Sequence, residues 1–428
     1  MHHFHWKHGQ LFAENVALEK LARRHGTPLY VYSAQTILDH YGKLDAAFAP
    51  VDHLICYAVK ANSNLAILSL LARKGAGFDI VSGGELYRVL KAGGKANRCT
   101  FAGVGKTREE IEFALREGIY CFIAESEAEL LVINEVAARM KKRAPVAVRV
   151  NPNVDARTHA KVTTGTYANK FGVAFEEIPA LYARLARLKN LRLLGVQVHI
   201  GSQITVLEPF VRAVKKMLPL VVQLREEHGI EFFDIGGGLG IVYQQALESG
   251  EKTWWQKKKT LPLAPQRYAG ALLPLLKKLK GLRLVMEPGR FLVGNAGVLL
   301  TKILYVKKTG RKNFIIVDAA MNDLIRPALY DSYHEVVPLR QSKSRSRVAF
   351  DIVGPICETG DVFCKDRPLP PLKIGDLIAF MSVGAYGWTM ASNYNSRLRV
   401  AEVLVKGAQA RLIRRRETRE DLIRGEIS

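Results

Sequence analysis

Leu54-Ile55-Cys56-Tyr57-Ala58-Val59-Lys60-Ala61-Asn62-Ser63-Asn64 is the stretch on which the fold turns. Leu54 to Val59 are all apolar and read as a buried strand, and Lys60 closes the run. What comes next separates two architectures. A doubly wound sheet usually carries G-x-G-x-x-G after its first strand and needs a topological switch point. This strand runs instead into Lys-Ala-Asn-Ser-Asn. A lysine at a buried strand end has two uses. It snorkels to water on its alkyl stem, or, desolvated, it sheds its proton and becomes a nucleophile.

Outward from this stretch the pattern repeats. Short apolar runs occur at Leu54–Lys60, Phe78–Ser82, Cys99–Gly103, Cys121–Ser126, Pro145–Asn151, Leu193–Gly201, Phe232–Gly238 and Leu282–Gly289. Amphipathic stretches with helical spacing separate them, among them Gly84–Ala92, Glu109–Glu117, Glu127–Lys142 and Glu208–Glu227. Strand-helix alternation implies right-handed crossovers and a parallel sheet. Eight such units over about 240 residues match a closed (β/α)8 barrel of TIM type. Beyond residue 290 the texture changes. β-branched runs such as Val298–Lys307, Phe314–Ala319, Arg347–Gly354 and Leu398–Val405 are punctuated by Gly, Pro, Asn and Asp, which predicts antiparallel β. The expected organisation is an N-terminal segment, 1–34, joining the β domain; a barrel, 35–290; and a C-terminal β-barrel or sandwich, 291–428. The Lys/Trp-rich stretch Glu248–Pro265 reads as a surface excursion from the barrel.

Composition narrows the class. The 428 residues carry 63 Lys+Arg against 40 Asp+Glu, a net charge of +23. The basic clusters, Lys141–Arg143, Lys257–Lys259, Lys307-Lys308 and Arg414–Arg416, are scattered, with no finger, RRM or zipper signature. The sign suits anionic small molecules as well as nucleic acid, and no nucleic-acid partner is expected. No apolar run reaches the roughly eighteen residues that cross a bilayer. The histidine-rich start, Met1–His8, reads as an exposed, frayed end rather than a metal site. Cys56, Cys99, Cys121, Cys357 and Cys364 are odd in number and form no C-x-x-C pair, which fits a reducing, cytoplasmic setting.

In a barrel, the C-terminal strand ends face the active site. The unusual residues of this chain fall there. They are Lys60; Asp79 and Ser82, with Glu85 just beyond; His199 followed by Gly201-Ser202-Gln203; Asp234 with Gly236-Gly237-Gly238; and Glu287-Pro288-Gly289-Arg290. Three glycines after a strand offer closely spaced N–H donors, as a phosphate requires, although a lone triple glycine equally describes a flexible loop. A carboxylate keeps a pyridine nitrogen protonated, and an activated lysine captures an aldehyde; pyridoxal 5'-phosphate asks for both. Glu287 also suits a plain ion pair with Arg290, and His199 a satisfied core position. The β region adds Arg326 and Tyr330, Cys357-Glu358 after Gly354-Pro355, and Tyr386 in Gly384–Gly387. Arginine grips carboxylates through a bidentate fork.

Taken as an ordered set, Tyr57–Asn62, Phe78–Glu85, His199–Gln203, Asp234–Gly238, Glu287–Arg290, Asn322–Tyr330, Gly354–Asp361 and Gly384–Asn395 resemble the pyridoxal-phosphate-dependent decarboxylases of fold type III, the alanine racemase-like group. The resemblance spans almost the whole chain, without a departure at these positions. It implies that Lys60 carries the cofactor as a Schiff base, with Asp79 beside it, and that His199 stacks on the ring. It implies that Ser202, Gly236, Gly237, Gly238 and Tyr386 hold the phosphate and that Glu287 meets the pyridine nitrogen. Arg290, Arg326 and Tyr330, with Tyr386, would bind a distal carboxylate, and Glu358 a distal amino group. Cys357 and Glu358 would enter the site from a partner subunit, making a homodimer. The implied reaction is loss of carbon dioxide from meso-2,6-diaminopimelate to give L-lysine, the last step of lysine biosynthesis. Decarboxylation of ornithine, arginine or carboxynorspermidine is the alternative on this fold, and a noncatalytic cofactor-binding protein the alternative of another class.

Overall fold

The computed structural model describes residues 2–155, 170–257 and 263–427. The chain forms two compact units: His40–Ile241 with Leu261–Leu292, and Met1–Asp39 with Val242–Thr260 and Val293–Ser428.

The first unit is a barrel. Its strands are His53–Ala58, Gly77–Ile80, Cys99–Phe101, Cys121–Ala124, Ala144–Asn151, Leu191–Val198, Phe232–Asp234 and Arg283–Met286. Each pairs in parallel with the next, and Leu284 against His53 closes the ring. The expected (β/α)8 architecture is what the chain adopts. Leu54, Cys56, Cys121, Ile123, Ala147, Leu194, Phe232 and Val285 form one buried cluster. Helices begin just past several strand ends, and the sequence supplies their caps. Ser82 Oγ accepts the Glu85 N–H, Ser126 Oγ accepts that of Glu129, and Thr107 and Glu110 form a capping box. Capped N-termini fix where each strand-to-helix loop starts, and hence where its polar side chains stand.

The apolar run Leu54–Lys60 is not strand throughout. The first strand stops at Ala58, and Val59–Ala61 curls into a single 3-10 turn. The turn lifts the lysine out of the apolar run, so its side chain is 43% exposed rather than desolvated.

The second unit is a sheet of mixed direction. In spatial order it runs Val362–Leu369, Val348–Val353, Lys312–Val317, Gly297–Thr309, Leu29–Ser33, Ala401–Lys406 and Gln409–Arg414. Most pairings are antiparallel. Lys312–Val317 with Val348–Val353, and Leu29–Ser33 with Ala401–Lys406, are parallel. Two strands, Val362–Leu369 and Gln409–Arg414, answer to no apolar run. They lie at the two ends of this order and carry Lys365-Asp366-Arg367 and Arg411 on exposed or half-exposed positions.

The start of the chain is not frayed. Phe4–Lys7, Gln10–Ala13 and Val16–Ala17 form a small meander. Phe4 is buried with Leu11 and Leu18 in the core of this unit, a gain of about 2 kcal/mol for one such side chain. His2 Nε2 meets the Ala246 carbonyl at 2.6 Å, and His3 reaches Asp39 at 2.8 Å. Terminal position was a weaker guide than these apolar and polar anchors. The excursion also differs from its expectation. Ala246 and Leu247 enter the same core, so residues 242–257 pack with the β unit. Residues 258–262, with Lys258 and Lys259 of the basic cluster, lie outside the described residues. Among the described residues no helix is long and apolar enough to cross a membrane.

Candidate active site

The barrel unit gathers its polar residues at the strand ends. Lys60 Nζ donates to Asp79 Oδ2 at 2.6 Å, and Asp79 is fully buried. Glu287 follows the eighth strand. Its carboxyl accepts from Thr100 Oγ1 at 3.3 Å and from Gln197 Nε2 at 2.8 Å. Burial, reinforced by the neighbouring Asp234 and Asp79 charges, pushes Glu287 well above the usual carboxylate range. Glu85, on the helix after the second strand, accepts the Val81 N–H, and burial pushes it up to about 7. His199 accepts the Gly237 N–H on Nδ1 at 3.2 Å. Burial, then the Arg149 and Lys60 charges, hold the imidazole well below its ordinary pKa, so the ring is neutral.

The triple glycine is a tight turn. Gly236 and Gly238 adopt φ of +67° and +104°, and a Cβ on Gly236 would stand 2.6 Å from the Val198 carbonyl. A Cβ on Gly237 would collide with the Glu287 carbonyl. Ser202 Oγ accepts from Arg290 Nη2 at 3.1 Å. The barrel therefore brings Lys60, Asp79, His199, Ser202, Gly236, Gly237, Gly238, Glu287 and Arg290 into one polar set.

Pyridoxal 5'-phosphate fits this set. It needs a primary amine, a backbone anion cradle and a carboxyl for its ring nitrogen, and all three are present. The charge balance agrees. Asp79 Oδ1 is a buried oxygen without a hydrogen-bond donor, and the surplus of acid around it suits a ring cation.

The β unit gathers a second set. Arg326 opens a short helix, Arg326–Tyr330, and is buried. Its Nη2 donates to Ser332 Oγ at 3.0 Å and reaches Tyr243 Oη at 3.5 Å. The guanidinium carbon lies 5.8 Å from the rings of Tyr243 and Tyr330 and 5.9 Å from Tyr386. Three phenols around one guanidinium make a socket with an apolar wall and hydroxyl tips. Tyr386 holds φ of +57°, and a Cβ on the nearby Gly384 would collide with the Val293 carbonyl. Cys357 and Glu358 are exposed on the loop between Val348–Val353 and Val362–Leu369. Asp361 shapes that loop by accepting the N–H groups of Ile356 and Met321 at 2.8 and 2.7 Å. The Cys357 N–H donates to Asn395 Oδ1, and Tyr394 hydrogen-bonds Glu358.

Several site residues escaped the sequence analysis. Gln197 and Thr100 hold Glu287. Arg149 pairs with Glu125 at 3.2 Å beside His199. Tyr243 lines the Arg326 socket. The first three left a signal: each stands between two apolar residues on its strand, and a buried polar group is the informative exception. Tyr243 left none.

The model of the pyridoxal-dependent decarboxylase pyridoxal-binding domain matches residues 34–294. This chain belongs to the pyridoxal-dependent decarboxylases. It is a carboxy-lyase that works with pyridoxal 5'-phosphate. Diaminopimelate decarboxylase from Pseudomonas aeruginosa is 51% identical over 424 residues, 99% of this chain and 98% of its own length. The Vibrio cholerae diaminopimelate decarboxylase is 49% identical over 410 residues, 96% of this chain and 94% of that one. Among solved structures, diaminopimelate decarboxylase from Helicobacter pylori complexed with L-lysine is 41% identical with a TM-score of 0.88. It covers 95% of this decarboxylase and 98% of that chain.

Proposed function

We propose that this decarboxylase converts meso-2,6-diaminopimelate to L-lysine and carbon dioxide, the closing step of lysine biosynthesis. The observation that carries the proposal is Arg326, a buried guanidinium ringed by Tyr243, Tyr330 and Tyr386. A substrate with only an amine at its far end has no use for it. Diaminopimelate has a distal carboxylate, and a charge-assisted contact to one is worth about 1.5–3 kcal/mol. The relatives named diaminopimelate decarboxylase, matched over nearly their full length, support the same choice.

The residues divide the labour. Lys60 would supply the primary amine that anchors the cofactor through its aldehyde carbon, the aldehyde oxygen leaving as water, and Asp79 holds that amine in place. The Gly236, Gly237 and Gly238 N–H groups, with Ser202 and Tyr386, hold the phosphate. His199 offers a neutral flat face for stacking, and Glu287 meets the ring nitrogen. When bound, the cofactor supplies the conjugated ring that accepts the electron pair left at Cα as carbon dioxide departs. Arg290, Arg326 and Tyr330, with Tyr386, grip the distal carboxylate, while Glu358 takes the distal ammonium. Fixing both far charges leaves the reacting end little freedom, which lowers the entropic part of the barrier. Cys357 and Glu358 serve the site of a second subunit, so the working form is a cytoplasmic homodimer. Their exposure on a loop pinned by Asp361 supports that sharing.

The test is carbon dioxide release from diaminopimelate, ornithine, arginine and lysine, with and without added pyridoxal 5'-phosphate. Release from diaminopimelate alone, dependent on the cofactor, is expected. Faster turnover of ornithine or arginine would overturn the substrate assignment.

A further inference from the structure

Asp234 ends the seventh barrel strand, is fully buried and has no part in the roles above. Its Oδ1 accepts the Gly236 N–H at 2.7 Å. Its Oδ2 is buried and, with every carboxyl ionised, meets no donor. Against it lies the Glu287 carboxyl, close enough to hydrogen-bond it. Two ionised carboxylates in contact away from water repel strongly. One proton between them removes half the charge and gives the orphaned oxygen its donor.

We propose that Asp234 is a positioning residue that shares one proton with Glu287, so that Glu287 gains or loses charge only as half of a pair. Through Gly236 the same side chain holds the start of the glycine turn. One carboxyl thus ties the group facing the ring nitrogen to the cradle facing the phosphate. The inference rests on the reading of Glu287 as the partner of the cofactor ring.

The surroundings set the direction. Burial pushes Asp234 up to about 7 and, with the Asp234 charge added, Glu287 well above its usual range. Asp79 from the second strand adds a like charge; Arg149 from the fifth strand and Lys60 from the turn after the first oppose it. Cys56, Cys121 and the Tyr268 phenol also face the pair, and burial keeps all three neutral. Neutral His199 is the remaining group, in contact with the glycine turn. A carboxyl raised in the folded state binds its proton where the unfolded chain has released it. Its stabilisation is full at low pH and is lost as pH climbs through about 7.

Asp234→Asn keeps an acceptor for the Gly236 N–H, donates to Glu287 and removes one charge. The cofactor-free chain is melted from pH 5.5 to 8.5 beside the wild type, so that all other titrations cancel. The variant's melting temperature relative to wild type should rise by about 2–4 °C across that range. Glu287→Gln should show the same rise, and the double variant no more than either single one. Parallel wild-type and variant curves, or additive rises in the double variant, would overturn the shared proton. In the loaded enzyme Asp234→Asn, which stands in for the protonated partner at the same pair charge, should shift the pH at which cofactor retention falls, a shift that a purely structural turn residue would not show once Asn preserves the turn. A profile of retention against pH that does not move would overturn the link to the ring. A wild-type protein that takes up no pyridoxal 5'-phosphate would sink the parent reading instead, leaving the melting curves to judge the proton alone.

Discussion

The barrel set and the β-unit set are built on opposite principles. At the barrel strand ends the side chains are held by strands, capped helices and one another. They are rich in buried acid: Asp79, Asp234 and Glu287 share a small volume with Lys60 and Arg149. In the β unit the chemistry sits on a short helix and on loops, around the buried cation Arg326 and beside the exposed Cys357 and Glu358. On the proposed reading one region holds one invariant ligand, the cofactor, and the other lies where loop changes can alter which substrate is received. Chemistry and selectivity should therefore fail separately when each is disturbed.

The sharpest break comes from Lys60→Ala. Activity should fall about a thousandfold or more, and borohydride should no longer fix the cofactor to the chain, as mass spectrometry of peptides would show. An adduct mapped to another lysine would reassign the anchor. Arg326→Ala should separate the two regions: KM for diaminopimelate should rise about ten- to a hundredfold while cofactor affinity holds, since one charge-assisted contact is lost. An unchanged KM would remove Arg326 from recognition. The smallest effect tests the exposed loop. Lys60→Ala and Glu358→Gln subunits, each poorly active alone, should on mixing regain about a quarter of the wild-type sites, the share that random pairing into two-fold dimers gives. Confirmed mixed dimers without recovery would deny a shared site.

The same contrast governs what could be read from the sequence. A parallel barrel writes itself as apolar runs with polar residues at their ends, so Lys60, Asp79, His199 and Glu287 stood out by position. The lysine's environment did not. Nothing in Val59-Lys60-Ala61 announces that the strand stops at Ala58 and turns, lifting the ammonium into the open. Asp234 was visible at its strand end, but its contact with Glu287 joins the seventh strand to the loop after the eighth and has no linear trace. Tyr243 faces Arg326 across 83 residues of sequence. The strands Val362–Leu369 and Gln409–Arg414 were hidden because end strands with an exposed face need no apolar run. His2 and Phe4 were misjudged because terminal position says nothing about the partners waiting in the fold.

Leu29–Ser33 lies inside the sheet of the β unit, between Gly297–Thr309 and Ala401–Lys406. Its two neighbours are thus translated some hundreds of residues after it. On the ribosome this early strand must wait, its valine and tyrosines uncovered, while every strand of the barrel is made. Only when the last of these partners emerges can the sheet close around it. A fold arranged this way asks its nascent chain to tolerate a long interval with sticky β surface on show, the kind of delay that exposes a chain to misassembly.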